Sequence, residues 1–254
     1  MRGLLSRLAL LPLLGIGAIA LLWAGEFGPQ FWAYAPLDGI ASRIVRSDDL
    51  ATELLDDTVP LLDALEESKR CFPRAMHNAA IIRGRMVQIA VDNSDPEQVR
   101  RAAGAANAII RKSLSCAPTD PFLWFALFWL EGMQHGFSDE LVGYLSKSYE
   151  LGPYEGWVGL RRNKYALIVY PLFPSALQES VVKEFAALVN SGFIRPSAAN
   201  LIGAGWPIHD KLLAALANVS PKYKRQLGND LRRAGVEVDI PGLIMPELRP
   251  WQVD

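Results

Sequence analysis

The chain has 254 residues, half of them hydrophobic, with 26 basic and 27 acidic side chains and a formal net charge of −1. That balance argues against a nucleic-acid binder, which gathers a basic excess on one face. With an N-terminal segment set aside, about 220 residues remain, enough for one large domain or two small ones.

Arg2 and Arg7 precede an uncharged run from Leu8 to Gly25, LALLPLLGIGAIALLWAG. As a helix, these residues reach about 27 Å, close to the hydrocarbon thickness of a bilayer. The next basic residue is Arg43, so positive charge flanks only the N-terminal side. The positive-inside rule then keeps the N-terminus in the cytoplasm and exports everything after Gly25. Trp23, Phe27, Phe31, Trp32 and Tyr34 read as an aromatic belt at the far interface, and Pro12 lies where a membrane helix tolerates a kink. Ala18-Ile19-Ala20 has the small-x-small form of a signal-peptidase site. The run continues past it through Leu21, Leu22 and Trp23, which favours a retained anchor over cleavage. Either outcome exports the rest of the chain; a buried soluble helix is the third reading. The expected organisation is an anchor over 1–26, a linker over 27–36, one helical domain over 37–235 and an irregular tail over 236–254.

An acidic stretch from Asp48 to Glu67 and an Arg-rich stretch from Lys69 to Lys112 read as solvated helix faces of opposite sign. Asp95-Pro96, Asp120-Pro121 and Ser220-Pro221 each place a capping side chain before a proline suited to a first helical turn. Ser175 and Gln178 have the spacing of a capping box. Apolar residues recur at helical spacing between these starts. Ala75, Ala79, Ile82, Met86 and Ile89 share one face; Val99, Ala102, Ala106, Ile109 and Ser113 share the next. Phe122 to Leu130 is apolar all round and too short to span a bilayer, so it is expected as a central buried helix. Leu177, Val181, Phe185 and Leu188 mark a later face, and Arg232, Arg233 and Gly235 mark the end of the last long helix. Alternation of period two is confined to Val236, Val238 and Ile240. Short connections between helices of similar length predict antiparallel pairs over 73–92 with 96–116, 121–135 with 138–151, 155–170 with 175–192, and a shorter pair over 197–218. The expected fold class is all-α, stacked helical hairpins forming an α-solenoid behind one transmembrane helix.

Residues 99–153 resemble tetratricopeptide repeats, paired helices that stack into a superhelix and usually bind other proteins. Ala106, Ile110, Ser113 and Pro118 match the small, bulky, small and proline positions that end one repeat. Trp124 and Leu127 match the opening of the next, and Leu145, Ser148 and Pro153 repeat the ending after a one-residue slip. Phe128 and Glu131 depart from the glycine and tyrosine of the pattern, and the spacing outside this stretch is irregular. The layout as a whole, with its tail LRRAGVEVDIPG, more weakly resembles small membrane-anchored proteins of bacterial exopolysaccharide biosynthesis operons. The resemblances imply a single-pass protein of the bacterial inner membrane with a periplasmic domain that docks envelope or membrane proteins.

The residues that carry common chemistries do not assemble into motifs. His77, His135 and His209 lack ligand-like spacing to each other or to a cysteine, and no HExxH or CxxC occurs, so no metal site is expected. Ser180-Val181-Val182-Lys183 matches SxxK, but its companion motifs are missing and Val181 and Phe185 mark an ordinary amphipathic face. Gly203-Ala204-Gly205 lacks the preceding strand and third glycine of a dinucleotide site. Asp56 with Asp57 and Glu66 with Glu67 are adjacent pairs, which point apart on a helix rather than flanking a glycosidic bond. The expectation is a non-enzymatic adaptor without cofactors, the rival being a glycan lyase or hydrolase that uses Asp, Glu, Tyr and Arg without a recognisable motif.

The cluster best suited to binding is Tyr154, Trp157, Arg161 and Arg162. Trp157 and Arg161 are four apart and share a helix face, and an aromatic–guanidinium surface suits sugars, carboxylates or protein partners. Cys71 precedes the helix starting near Pro73, and Cys116 closes the helix starting near Pro96. In an antiparallel pair they share one end and stand within disulfide reach, which an oxidising compartment would close. Two buried free thiols are the alternative.

Overall fold

The computed structural model describes residues 2–46 and 51–244, with the side chains of residues 2–11, 13, 27 and 30 outside the described set. Asp48, Asp49 and the tail beyond residue 244 therefore lie outside the described residues. Among the described residues the protein is all-helical, with no strand. It divides after Cys116 into two compact units, where the sequence suggested a single domain over 37–235.

The first unit contains α1 (Arg2–Val45), α2 (Thr52–Asp56), α3 (Val59–Glu67), α4 (Pro73–Asp92) and α5 (Pro96–Cys116). Residues 27–36, read as a linker from their prolines and aromatics, are helical and continuous with α1. Pro29 and Pro36 are exposed and each costs the helix one hydrogen bond, a loss made up where its C-terminal half packs on α4. Leu37 and Ala41 are buried there, Asp38 accepts from the Arg74 guanidinium at 2.6 Å and from the Asn78 amide, and Tyr34 meets Phe72 at 5.4 Å. Arg70 pairs with Glu26 at 2.5 Å, one residue beyond the apolar run. The other half of α1 carries Leu14, Ile16, Ile19, Leu21, Leu22 and Trp23, each 58–76% exposed. At 100° per residue these six spread over about 220° of the helix circumference, and the remaining sector carries the small residues Gly17, Ala20 and Ala24. Among the described residues, a set without the side chains of Leu8 to Leu11 and Leu13, no helix is long and apolar enough to cross a membrane.

The acidic α2–α3 segment is not merely a solvated face. Arg83, almost fully buried, reaches back from α4 to Asp63 and, at 2.9 Å, to Glu66. Burial pushes the Glu66 carboxyl above its usual range, with Arg83 pulling the other way. Lys112 of α5 donates to the carbonyls of Glu66 and Ser68, which closes the end of α3. Helices α4 and α5 form an antiparallel hairpin, and α5 is capped by Asp95, which accepts from the Glu97 and Gln98 amides at 3.0 and 3.1 Å. A disulfide joins Cys71 to Cys116 across the hairpin's end, Cα to Cα 5.8 Å.

The second unit holds α6 (Pro121–His135), α7 (Asp139–Leu151), α8 (Gly156–Ile168), α9 (Ser175–Asn190), α10 (Ile194–Ile202), α11 (His209–Ala214) and α12 (Pro221–Arg233). Helix α6 buries Phe122, Leu123, Phe125, Leu127, Phe128 and Leu130 against α7 and α8, whereas the helix that meets most of the unit is α9, packed on α8, α10, α11 and α12. Asp120 caps it, accepting from the Phe122 amide at 2.9 Å. Two expected caps are built differently. Ser220 makes no side-chain cap; its amide donates instead to Asn190 Oδ1 at 3.0 Å. Ser175 and Gln178 form no capping box, because Gln178 Nε2 turns back to the Phe173 carbonyl at 3.0 Å and secures the preceding turn. At the end of α12, Gly235 takes φ +75° and the Val236 amide reaches the Leu231 carbonyl at 2.9 Å, the left-handed stop its sequence announces. The tail then runs back along α12, where buried Lys224 donates to the Pro241 and Ala217 carbonyls, both at 2.8 Å. Val236, Val238 and Ile240 form no strand.

Two outcomes are expected of the first unit. Cys71→Ser is expected to lower the melting temperature as much as dithiothreitol lowers that of the wild type, since closing this loop is worth up to about 4 kcal/mol on chain entropy. Identical melting of oxidised and reduced wild type would show that the bridge adds nothing. Ser113 Oγ is fully buried without a hydrogen-bond partner, so Ser113→Ala is expected to leave the denaturant midpoint unchanged or raise it.

Candidate functional site

Of the four residues proposed as a binding surface, three remain at the surface and one does not. Tyr154, in the turn before α8, is 91% exposed. Trp157 is half-buried, its ring 5.0 Å from that of Phe122. Arg161 is half-buried one turn further on, and burial lowers its pKa, with nearby Tyr165 acting in the opposite sense. Arg162 has no exposed surface at all. The reason is angular: it follows Val158 by four residues, and both lie on the face of α8 that turns into the core.

Arg162 organises the interior of this unit. Its Nε and Nη2 reach Glu184 Oε1 of α9 at 3.1 and 2.5 Å. Its Nη1 donates to the Ser148 carbonyl at 2.6 Å and to Ser148 Oγ at 2.8 Å, and Nη2 also meets the Gly152 carbonyl at 3.0 Å. All five guanidinium hydrogens thereby find acceptors. The Tyr149 ring covers the guanidinium at 3.9 Å, and its hydroxyl donates to Glu184 Oε2 at 2.7 Å. Gly159 is what lets α9 approach: a Cβ there would stand 2.9 Å from Glu184 Oε1. A second polar rung follows, with Asn163 donating to the Val181 carbonyl at 2.9 Å and Asn200 donating to Asn163 at 3.2 Å.

Burial raises the Glu184 pKa against the pull of Arg162, and burial together with the Glu184 charge pushes Tyr149 well above its ordinary value. Tyr149 therefore remains a protonated donor. A carboxylate, a phenol and a guanidinium in contact have the composition of an acid–base site, but each is buried and none lines a cavity among those described. The arrangement holds α7, α8 and α9 together.

The other sequence candidates are dispersed. Ser180 Oγ donates to the Ala176 carbonyl at 3.1 Å while Lys183 pairs with Glu179 at 3.3 Å, so the two are engaged locally rather than with each other. His135 lies 3.6 Å from Glu131, and His209 stacks on Trp206 at 4.4 Å. His77 lies in the other unit, on α4. Among the described residues no group of three or more His, Cys, Asp or Glu could hold a metal. Gly205 is a packing glycine, with the Asn200 carbonyl 2.8 Å from where a Cβ would stand. Asp56, Asp57 and Glu67 are not drawn together with Glu66, which is held by Arg83.

Concave features among the described residues include one of about 480 Å³ between α12 and residues 236–244. Between α6 and α8 an apolar groove of about 280 Å³ is lined by Phe128, Trp129, Met133, Phe137, Tyr165 and Ile168. Its edge is visibly apolar, with Ile168 58% exposed. A polar groove of about 510 Å³ lies between the start of α10 and α12. Compared with protein-family models, curated proteins and solved structures, the chain matches none.

The buried cluster generates a stability prediction. Arg162→Met leaves the Ser148 and Gly152 carbonyls and Glu184 without donors and is expected to cost about 3–5 kcal/mol in denaturant unfolding. Adding Glu184→Leu should recover much of that loss; a double variant no better than the single would refute the coupling. Folding raises the Glu184 pKa, so this group's contribution is complete below about 4.5 and declines as pH rises through the folded value. Wild type should therefore lose stability relative to Glu184→Gln as the pH is raised from the acid side, which unfolding curves at several pH values would show.

Proposed function

We propose that this protein is a membrane-anchored adaptor with tetratricopeptide-like helical hairpins, held by the start of α1 and presenting its two helical units on the exported side. The observation that carries the reading is the exposed half of α1. Six large exposed apolar side chains spread over about 220° of the helix circumference, more than one flat protein surface covers, whereas hydrocarbon surrounds a helix evenly. Glu26, the first acidic residue after the run, is neutralised by Arg70, as suits a charge held near the interface. The Cys71–Cys116 bridge supports the exported side, since such bonds persist in oxidising compartments.

The adaptor role is supported by the apolar groove between α6 and α8 and by the inward commitment of the Arg162 cluster. A repeat-like hairpin with an exposed apolar groove suits an amphipathic partner helix, and envelope proteins, including those that make or export exopolysaccharide, are the partners this reading favours. A glycan lyase or hydrolase would need converging carboxylates in a cleft, and Glu184 is enclosed.

An alkaline phosphatase fused after residue 46 is expected to be active in cells, and a reporter that works only in the cytoplasm silent at the same junction. The reverse pattern would refute export. Carbonate washing should leave the protein in the membrane pellet; release would mean that the apolar segment has been removed or does not span.

A further inference from the structure

The polar groove of the second unit lies between the start of α10 and one face of α12. Its wall on the α12 side carries Gln226, Asn229 and Arg233, and its α10 side carries Arg195, all four exposed. Asp230 lies between and pairs with Arg233 at 2.6 Å. The turn ahead of α10 fixes the floor. Gly192 takes φ +84° with the Tyr223 ring 3.2 Å from where a Cβ would stand, so a larger residue would be strained and would displace that ring. Phe193, half-buried, adds an aromatic edge to the groove.

We propose that this groove binds an acidic oligosaccharide. Two primary amides offer paired donors and acceptors to vicinal hydroxyls, and two guanidiniums offer forked donors to a carboxylate. Asp230 offsets Arg233, so Arg195 supplies the net positive charge, at the positive end of α10, where Pro196 has no N–H and the Ser197 amide donates to the Phe193 carbonyl. The chemistry favours a sugar over a peptide because the groove is open and sets planar amides and guanidiniums beside the apolar surfaces of Phe193, Ile194 and Pro196, a mixture that suits hydroxyls and C–H faces, without the deep apolar hole that anchors a protein hot spot. The site lies away from the apolar groove assigned to partner docking and does not depend on membrane anchoring.

The test is calorimetric titration of the full-length protein in detergent with a galacturonic-acid oligomer, a neutral maltooligosaccharide of equal length, and polyglutamate. Saturable binding of the acidic sugar is expected, weakened about tenfold by Arg195→Gln, as loss of one charged hydrogen bond implies, and about threefold by Asn229→Ala, which removes neutral hydrogen bonds. Arg225→Gln, an exposed change on α12 outside the groove, should leave binding intact. Circular dichroism confirms that each variant is folded, and Gln226→Ala replaces any that is not. No saturable binding, equal binding of the neutral sugar, equal binding of polyglutamate, or equal loss from Arg225→Gln would each overturn the proposal. None of these outcomes bears on export or membrane retention, which the fusion and carbonate results decide.

Discussion

A guanidinium removed from water must have every donor satisfied and its charge answered, or it costs several kcal/mol. Arg162 meets both demands by drawing on three helices at once. Ser148 and Gly152 give it the C-terminal end of α7, Glu184 gives it α9, and its own backbone belongs to α8. The contact fixes where α9 can sit, because only a glycine at position 159 lets the carboxylate come so near. Tyr149 and Ser148 then close the cluster, with Ser148 also donating to the Pro121 carbonyl at the start of α6. Four helices of the second unit are thus registered by one ionic cluster rather than by apolar packing alone.

The first unit relies on a different device. Helix α1 packs through Tyr34, Leu37, Asp38 and Ala41, and α4 answers with Phe72, Arg74 and Asn78. The disulfide and Lys112 secure the opposite ends of the same chain segment, where α3 gives way to α4. Because α1 is unbroken from Arg2 to Val45, the proposed anchor and the folded unit share one helix. On that proposal, movement of the bilayer segment is passed directly to the packed half.

The sequence makes the helices legible for definite reasons. Asp95-Pro96 and Asp120-Pro121 are local signals that act within four residues, and α5 and α6 begin where they stand. The extent of the hairpin α4–α5 is equally local, set by Pro73, Pro96 and the two cysteines. The misreadings concern interactions between segments distant in the chain. Pro29 and Pro36 suggest a linker, yet contact with α4 keeps the helix intact. Arg162 reads as part of a binding surface because nothing near it in sequence shows its partner, 22 residues on. A trace was present nonetheless: Glu184 lies among Val181, Phe185 and Leu188 on an otherwise apolar face, and a carboxylate in that position requires a buried counter-charge. The two polar-groove walls, from α10 and α12, meet only in three dimensions and leave no comparable mark.

The account depends most on the surroundings of the exposed half of α1. A spin label on Ile19→Cys tests them directly, since both native cysteines are bonded and the new thiol alone reacts. In reconstituted vesicles the account predicts frequent collision with dissolved oxygen and little with a water-soluble nickel chelate, the signature of a hydrocarbon environment. A label at Tyr154, 91% exposed, supplies the aqueous reference. Nickel accessibility at position 19 equal to that at 154 would contradict the membrane-anchored reading.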